Sequence, residues 1–522
     1  MSNPIKPPCD EGVIHSKPCS NPCRNNARWV LVATILGSSM AFIDSTVVNV
    51  ALPTLQTQLN ATVSDVQWVV ESYALFVAAL ILVGGSLGDH LGRRRVFVLG
   101  VAVFAIASLW CGIAPNIGQL IVARGLQGIG GALLIPGSLA IIGASFPSEQ
   151  RGAAIGLWSG FTAITSAAGP VLGGWLIETL SWRWVFLINL PLAAIVIFIS
   201  LRYVPESRDP EVSALDWLGA VLAIAGLGSV VYGLLEAANG FDAVVVGAIA
   251  LGVLVLGAFL TLESRLRSPM MPLNLFHSRT FSGANLLTLL LYAALGGALF
   301  FLPFNLIQVQ GYSATAAGAA FVPFPIIMFF LSRWSGNLVS RYGARLPLII
   351  GPAIAALGFG LMARPGIGGS YWGTFFPAVV VLGLGMAVCV APLTTAVMNA
   401  VDMRYVGAAS GVNNAVSRIA SLLAIAILGL IMLNRFNHSL DQHLAALSLS
   451  TEALQFLDAQ RINLAAATLP PGLSHSIASA LERAIALAFV DGFRLVMGIA
   501  AMLAIASSMA AALMIERKRL TS

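Results

Sequence analysis

Charge is what this sequence has least of: Asp, Glu, Lys and Arg make up 10% of its residues, against about 25% in an ordinary soluble domain. Only three are lysines, Lys6, Lys17 and Lys518. None of them follows glycine, so the phosphate-cradling loop of a nucleotide-driven pump is missing. No His-Glu-x-x-His run occurs, and His438 and His443 stand in a polar stretch that reads as solvated surface. Cysteine is sparse as well. Cys9, Cys19 and Cys23 have spacings that fit no common zinc pattern. Cys111 and Cys389 sit alone in apolar runs and read as core packing. The first 27 residues hold no apolar segment and no cleavage site, so no secretion signal is expected there. Together these absences leave no catalytic constellation, no metal site and no cofactor; the chain is not expected to be an enzyme or to bind nucleic acid.

Apolar residues fill the space that charge leaves. They are 58% of the chain, and the mean hydropathy is +0.88. Fourteen apolar segments reach spanning length, the first at about residues 29–56 and the last at about 489–515. They lack the alternation of a membrane barrel strand, so helices are expected to cross the bilayer. Most joints are under ten residues, which makes successive helices antiparallel, and an even count puts both termini on one side. Lys and Arg test which side. Nineteen lie on the side of the termini and five on the other, an excess that places both termini in the cytoplasm. The expected location is the cell (inner) membrane.

One stretch occurs twice. GSLGDHLGRRRVFVLG (Gly85–Gly100) falls on GNLVSRYGARLPLIIG (Gly336–Gly351) when shifted by 251 residues, with glycines at 85, 92 and 100 and Arg94 retained. Both copies read in the same direction, as a parallel repeat does. The expected fold is all-α: two six-helix bundles related by that repeat, with two further helices inserted between them. The chain then divides into a disordered tail (1–27), a first bundle (28–203), the inserted pair with its linkers (204–280), a second bundle (281–515) and a short tail (516–522). The longest joint, about 434–488, is expected as a large outer loop with helical periodicity in LAALSLSTEALQFLDAQR.

Four motifs sharpen this reading: FIDSTVVNVALP (Phe42–Pro53), GSLGDHLGRRR (Gly85–Arg95), RGLQGIGGA (Arg124–Ala132) and GFTAITSAAGPVLGG (Gly160–Gly174). WRWVFLINLP (Trp182–Pro191) and LDWLGAVL (Leu215–Leu222) accompany them. In this order and spacing the sequence resembles the major facilitator superfamily, in its fourteen-spanner branch of drug:proton antiporters, from Arg28 to about Arg519. The resemblance implies alternating access and antiport. It also implies a cytoplasmic gate at Gly85, Asp89, Gly92, Arg93 and Arg94, where His90 replaces the usual basic residue and Ser340 replaces Asp89 in the second copy.

The residues carry their own chemistry. Arg124, Gln127, Gly128 and Gly131 share one helix face, and an arginine inside a span normally faces a cavity or a partner. Asp44 and Glu71 are placed at a depth to meet it, so Asp44 is expected as the main proton carrier, with Glu71 assisting beside Arg124. Gln127 and Arg418 are expected to line the substrate cavity. Gly160, Gly169, Gly173 and Gly174 leave a smooth face around Pro170, which removes one helical hydrogen bond; that helix is expected to bend and to slide against the other half. The function expected is proton-coupled export of lipophilic drugs, antibiotics or toxic metabolites, with protons and bilayer as partners and a periplasmic adaptor as a further candidate. The alternatives are a symporter or facilitator for a small solute, or a transporter-like membrane sensor. Arg124, Arg333 and Arg418 outnumber Asp44 and Glu71, which favours neutral or anionic substrates over dications.

Overall fold

The computed structural model describes residues 23–208, 216–266, 269–402, 405–445, 447 and 449–516. Cys9, Cys19, the rest of the first 22 residues and the last six lie outside them. Among the described residues, fourteen helices are long and apolar enough to cross a membrane. They are α1 (Cys23–Gln58), α2 (Val63–Leu91), α3 (Arg93–Ile113), α4 (Ile117–Ser145) and α5 (Ser148–Thr179). Next come α6, begun by Trp184–Leu187 and continued by Asn189–Tyr203, then α7 (Trp217–Glu236) and α8 (Ala243–Arg265). The second half holds α9 (Arg279–Phe304), α10 in two pieces (Ala314–Phe321 and Pro323–Tyr342), α11 (Arg345–Met362), α12 (Phe375–Asn399), α13 (Val406–Leu444) and α14 (His475–Met514).

Two expectations need correction. Helix α1 starts at Cys23, so residues 23–27 are helical rather than part of a disordered tail. The joint expected over about 434–488 is much shorter, because α13 runs on to Leu444 and α14 already begins at His475. Hydropathy marks where the bilayer ends, whereas a helix continues for as long as its backbone bonds are undisturbed. Within the remaining joint, Thr451–Gln460 forms a short helix. Helix α10 is interrupted at Val322, just ahead of Pro323 and Pro325, where proline cannot supply the N–H that an undisturbed helix needs.

Polar caps set the tight joints. Thr62 Oγ1 accepts the Asp65 N–H at 3.1 Å while Asp65 Oδ2 accepts the Thr62 N–H at 2.8 Å, a closed capping box at the start of α2. Asn116 Oδ1 accepts the Gln119 N–H at 2.9 Å and starts α4. The turn from α2 to α3 is a single residue, Gly92, at φ +112; its counterpart 251 residues on, Gly343, has φ +73. Both lie in the left-handed region that glycine enters freely.

In the first bundle α4 packs between α2 and α3, and α1 packs on α5 and α6. In the second, α11 packs on α12 and α14, and α9 packs on α13 and α14. The inserted helices α7 and α8 pack on each other, and α7 lies on α2 and α13 through Leu75, Leu227, Val231, Leu422 and Ala426. Between bundles, α1 touches α9, α2 touches α13, and α5 touches both pieces of α10.

Candidate functional site

Five helices meet at Asp44. Arg124 Nη1 donates to Asp44 Oδ2 at 2.5 Å, and Gln127 Nε2 donates to Asp44 Oδ1 at 2.8 Å. Asn189 Nδ2 adds a longer bond to the same Oδ1, 3.4 Å. Ser108 Oγ collects Gln127 Nε2 at 2.7 Å and Asn189 Nδ2 at 3.1 Å. Arg124 also donates inside the bundle to Gln127 Oε1 (2.7 Å) and to the Val69 carbonyl (3.0 Å). Its guanidinium carbon stands 4.4 Å from the centre of the Tyr73 ring. Asp44, Ser108, Gln127 and Asn189 are all 0% exposed and Arg124 is 1% exposed. An ion pair so deep survives because every charge meets several donors or acceptors. Ser108, Asn189 and Tyr73 were not singled out by sequence reading. Asn189 was the one with a visible signal, an amide inside the apolar run VFLINLP.

Glu71 is not part of this cluster. The expected meeting of both acids at Arg124 is absent, and helical phase explains it. Val69 and Tyr73 face α4, and Glu71 lies two residues from each, about 200° around α2. Its neighbours one turn away look toward α13. Gln67 Nε2 donates to the Ile425 carbonyl at 2.8 Å, and Leu75 packs on Leu422 and Ala426. Glu71 is 0% exposed, and neither of its oxygens receives a hydrogen bond from a described residue.

Arg418 lies on α13 one turn before Leu422, about 18 Å from the helix start at about 1.5 Å per residue. It is half-buried, and among the described residues it makes no hydrogen bond and no ion pair. Asn414, one turn before it, is exposed and donates only to the Ser410 carbonyl of its own helix, at 3.4 Å. On the side of α13 toward α9, Asn413 Nδ2 donates to Asn285 Oδ1 (3.1 Å) and Thr288 Oγ1 (2.7 Å), a polar tie that sequence reading did not single out. The side chain of Arg333 lies outside the described residues.

At the turn before α3, Asp89 pairs within its own helical neighbourhood, with Arg93 Nε at 2.8 Å. The rest of the turn is held by Glu206 in the joint after α6. Glu206 Oε1 accepts the Arg94 N–H at 3.1 Å, and its Oε2 lies 3.6 Å from both Arg94 Nε and Arg95 Nε. The Arg93 N–H donates to the Ser207 carbonyl at 2.8 Å. Gly92 is needed twice over, since a Cβ there would also strike the Glu206 carboxylate. Gly85 faces Pro136 of α4.

The glycine face of α5 is in contact on two sides. Gly169 and Gly173 sit against Thr46 and Val47 of α1, and Gly160 faces Phe329 of α10. Gly174 meets the Ala314 backbone, and Gly318 of α10 meets the Pro170 carbonyl. Nearby, Glu178 accepts the Thr315 N–H at 2.8 Å and the Thr315 Oγ1 hydrogen at 2.6 Å. Gln56 Nε2 donates to the Asn463 carbonyl, and Gln308 Nε2 donates to Gln56 Oε1, both at 3.0 Å. These ties join the bundles in the half away from the termini. Along the same α5–α10 seam a groove of about 790 Å³ opens, lined by Ile164, Ala168, Trp175, Val322, Ile326 and Phe330. Its walls are almost wholly apolar.

The sequence profile described as Major Facilitator Superfamily matches residues 34–425. Multidrug resistance protein Stp of Mycobacterium tuberculosis is 35% identical over 422 residues, 79% of this chain and 77% of that protein. The tetracenomycin C resistance and export protein of Streptomyces glaucescens is 33% identical over 432 residues, covering 81% and 79%. Drug efflux pump JefA of Mycobacterium tuberculosis is 32% identical over 492 residues, covering 91% and 96%. Among solved structures, a bacterial homologue of the human lysosomal transporter Spinster, inward-facing and unoccupied, superposes with a TM-score of 0.63 at 18% identity, covering 96% and 100%, a likeness of fold. The chain belongs to the Major Facilitator Superfamily, as a fourteen-helix member whose relatives are multidrug and antibiotic efflux transporters.

Proposed function

We propose that this protein exports lipophilic compounds across the cell membrane in exchange for protons, with both termini in the cytoplasm. The two bundles, about 28–203 and 281–515, rock against each other while the inserted pair rides on α2 and α13. The relatives' names and the apolar groove support lipophilic cargo; the excess of Lys and Arg on the side of the termini supports the orientation. Given that orientation, the ties at Gln56, Glu178, Gly174 and Gly318 hold the bundles together on the outer side.

The observation that carries proton coupling is Glu71. A carboxylate there would be a bare charge in a dry seam, which costs several kcal/mol; the neutral acid suits the site without a donor. Asp44 is in the opposite condition, its two oxygens accepting from Arg124, Gln127 and Asn189. The first expectation is therefore reordered: Glu71 carries the exchanged proton, and Asp44 with Arg124 holds the first bundle in register. Because Glu71 faces α13, movement of that helix as the outer side opens lets the acid load a proton from outside, and the return movement delivers that proton to the cytoplasm. Arg418, without an acid partner, is the positive group that meets substrate.

Energised inverted vesicles test this reading. Adding a transported compound should release protons from wild-type vesicles, and Glu71→Gln should remove that release while leaving the protein in the membrane. No compound-induced proton movement across a broad panel, or normal coupling in Glu71→Gln, would sink it.

A further inference from the structure

The motif that opens α7 (LDWLGAVL) has no part in the transport site. Asp216 caps that helix through Oδ1, which accepts the Gly219 N–H at 2.8 Å. Glu263, in the last turn of α8, is 2% exposed, and its Oε2 accepts the Met271 N–H at 2.9 Å. One oxygen of each acid is thus committed to a backbone donor. The other two, Asp216 Oδ2 and Glu263 Oε1, are buried and receive no hydrogen bond from any described residue. Both crowd the point where a Cβ on Gly219 would stand, and the carboxyls are within hydrogen-bonding reach of each other. Two carboxylate oxygens so placed only repel; a hydrogen on one of them turns the contact into a bond. Gly219 is required because any side chain there would displace the Asp216 carboxylate.

Among the described residues, the surroundings offer no other way to neutralise the pair. One turn deeper, the cluster over it is Ala79 from α2, Ala223 from α7, Phe259 from α8, and Met270 and Met271 from the joint to α9. None of these is ionisable. Arg265, on the same helix as Glu263, is exposed. Asp216 is the titratable group that faces Glu263.

We propose that Asp216 and Glu263 form a proton-binding site, separate from the transport site, which locks the two inserted helices together on the side of the termini. Its ligand is one proton, held between Oδ2 and Oε1. Release of that proton to water leaves two facing carboxylates and loosens the base of the α7–α8 pair. That base includes Met271, in the joint that leads into the second bundle, so the site makes the link between bundles sensitive to pH on the side of the termini. The transport reading is not needed for this inference, and the test below reads protonation and stability rather than export.

The test uses the purified full chain in lipid nanodiscs, in a Glu71→Gln background so that Glu71 contributes no signal. Infrared spectra at neutral pH should show a protonated carboxyl, which is lost on adding Glu263→Gln. The midpoint of thermal unfolding should fall as pH is raised from about 5 to about 7 and level off above that, since over this range the native state keeps a proton that the unfolded chain has lost. Glu263→Gln and Asp216→Asn each place an amide donor in the gap and should flatten that slope. A slope unchanged in both variants overturns the proposal, as does a spectrum of carboxylates alone at neutral pH. So does stabilisation by calcium or magnesium at high pH that vanishes in Glu263→Gln, which would make the pair a metal-cation site. If both amide variants fail to fold, the spectrum of the Glu71→Gln chain decides by itself.

Discussion

Arg124 and Asp44 lie 80 positions apart in sequence, yet Arg124 Nη1 meets Asp44 Oδ2 at 2.5 Å with both side chains closed off from solvent. Removing one partner of such a pair leaves the other as an uncompensated buried charge, at a cost of about 3–5 kcal/mol. Arg124→Ala should therefore lose most of its folded, membrane-inserted protein. The double variant Asp44→Asn with Arg124→Gln, which leaves no bare charge, should recover much of it. Thermal unfolding in detergent measures both. A single variant as stable as wild type would mean that the pair contributes nothing to the fold.

Glu71→Gln should behave in the opposite way. No hydrogen bond to Glu71 is lost, and an amide has nearly the shape of the neutral acid, so the unfolding temperature should stay within a few degrees of wild type. Proton release in inverted vesicles should disappear. A large loss of stability with coupling intact would show Glu71 to be a structural group.

The Glu178–Thr315 contact ties α5 to the first piece of α10 by two hydrogen bonds. Hydrogen bonds to a charged acceptor contribute about 1.5–3 kcal/mol each, part of which water returns when the contact opens. Glu178→Ala should shift the balance toward a state open on the side away from the termini by about tenfold or more, equivalent to about 1.4 kcal/mol. Cysteine pairs placed across the α5–α10 seam would report it as slower crosslinking. Unchanged crosslinking would show that the glycine contacts alone keep that side shut.

Glu206 holds the turn between α2 and α3 through Arg94 and Arg95, so Glu206→Ala should release the joint after α6 without touching the site around Asp44. The expected result is a lower transport rate with unchanged equilibrium binding of substrate. Lost binding at normal turnover would instead place this joint in the substrate path.

The proposed preference for neutral or anionic substrates rests on Arg418. Among the described residues it has no acid partner, and the apolar stretches of the second half carry acids only near their ends, such as Asp491 at the start of 489–515, bonded to Ser439 at 2.7 Å. Arg418→Ala should weaken resistance to anionic lipophiles first and leave neutral ones nearly unchanged, measured as drug susceptibility in a sensitive host. Strong wild-type export of dications, unaffected by Glu71→Gln, would contradict the charge argument.

What could be read from the sequence alone was whatever depends on local composition. Fourteen spans, the repeated turn at Gly92 and Gly343, and the shared face of Arg124 and Gln127 all follow from hydropathy, glycine and a period of 3.6. Asp44 and Arg124 were marked because a charge inside a span needs a reason. The tertiary structure decided which charges meet. Whether Glu71 looks toward α4 or α13 depends on how α2 is rotated, and that rotation is set by packing at residues 67, 69, 73 and 75 together. Ser108 and Asn189 entered the site by the same route, as small polar groups that matter only because α3 and α6 bring them to Asp44. The Asp216–Glu263 pair was equally invisible, since the two acids lie 47 positions apart and become neighbours only when α7 and α8 fold back on each other. Hydropathy records how deep a residue lies; the direction in which it points is fixed by neighbours that are distant in the chain.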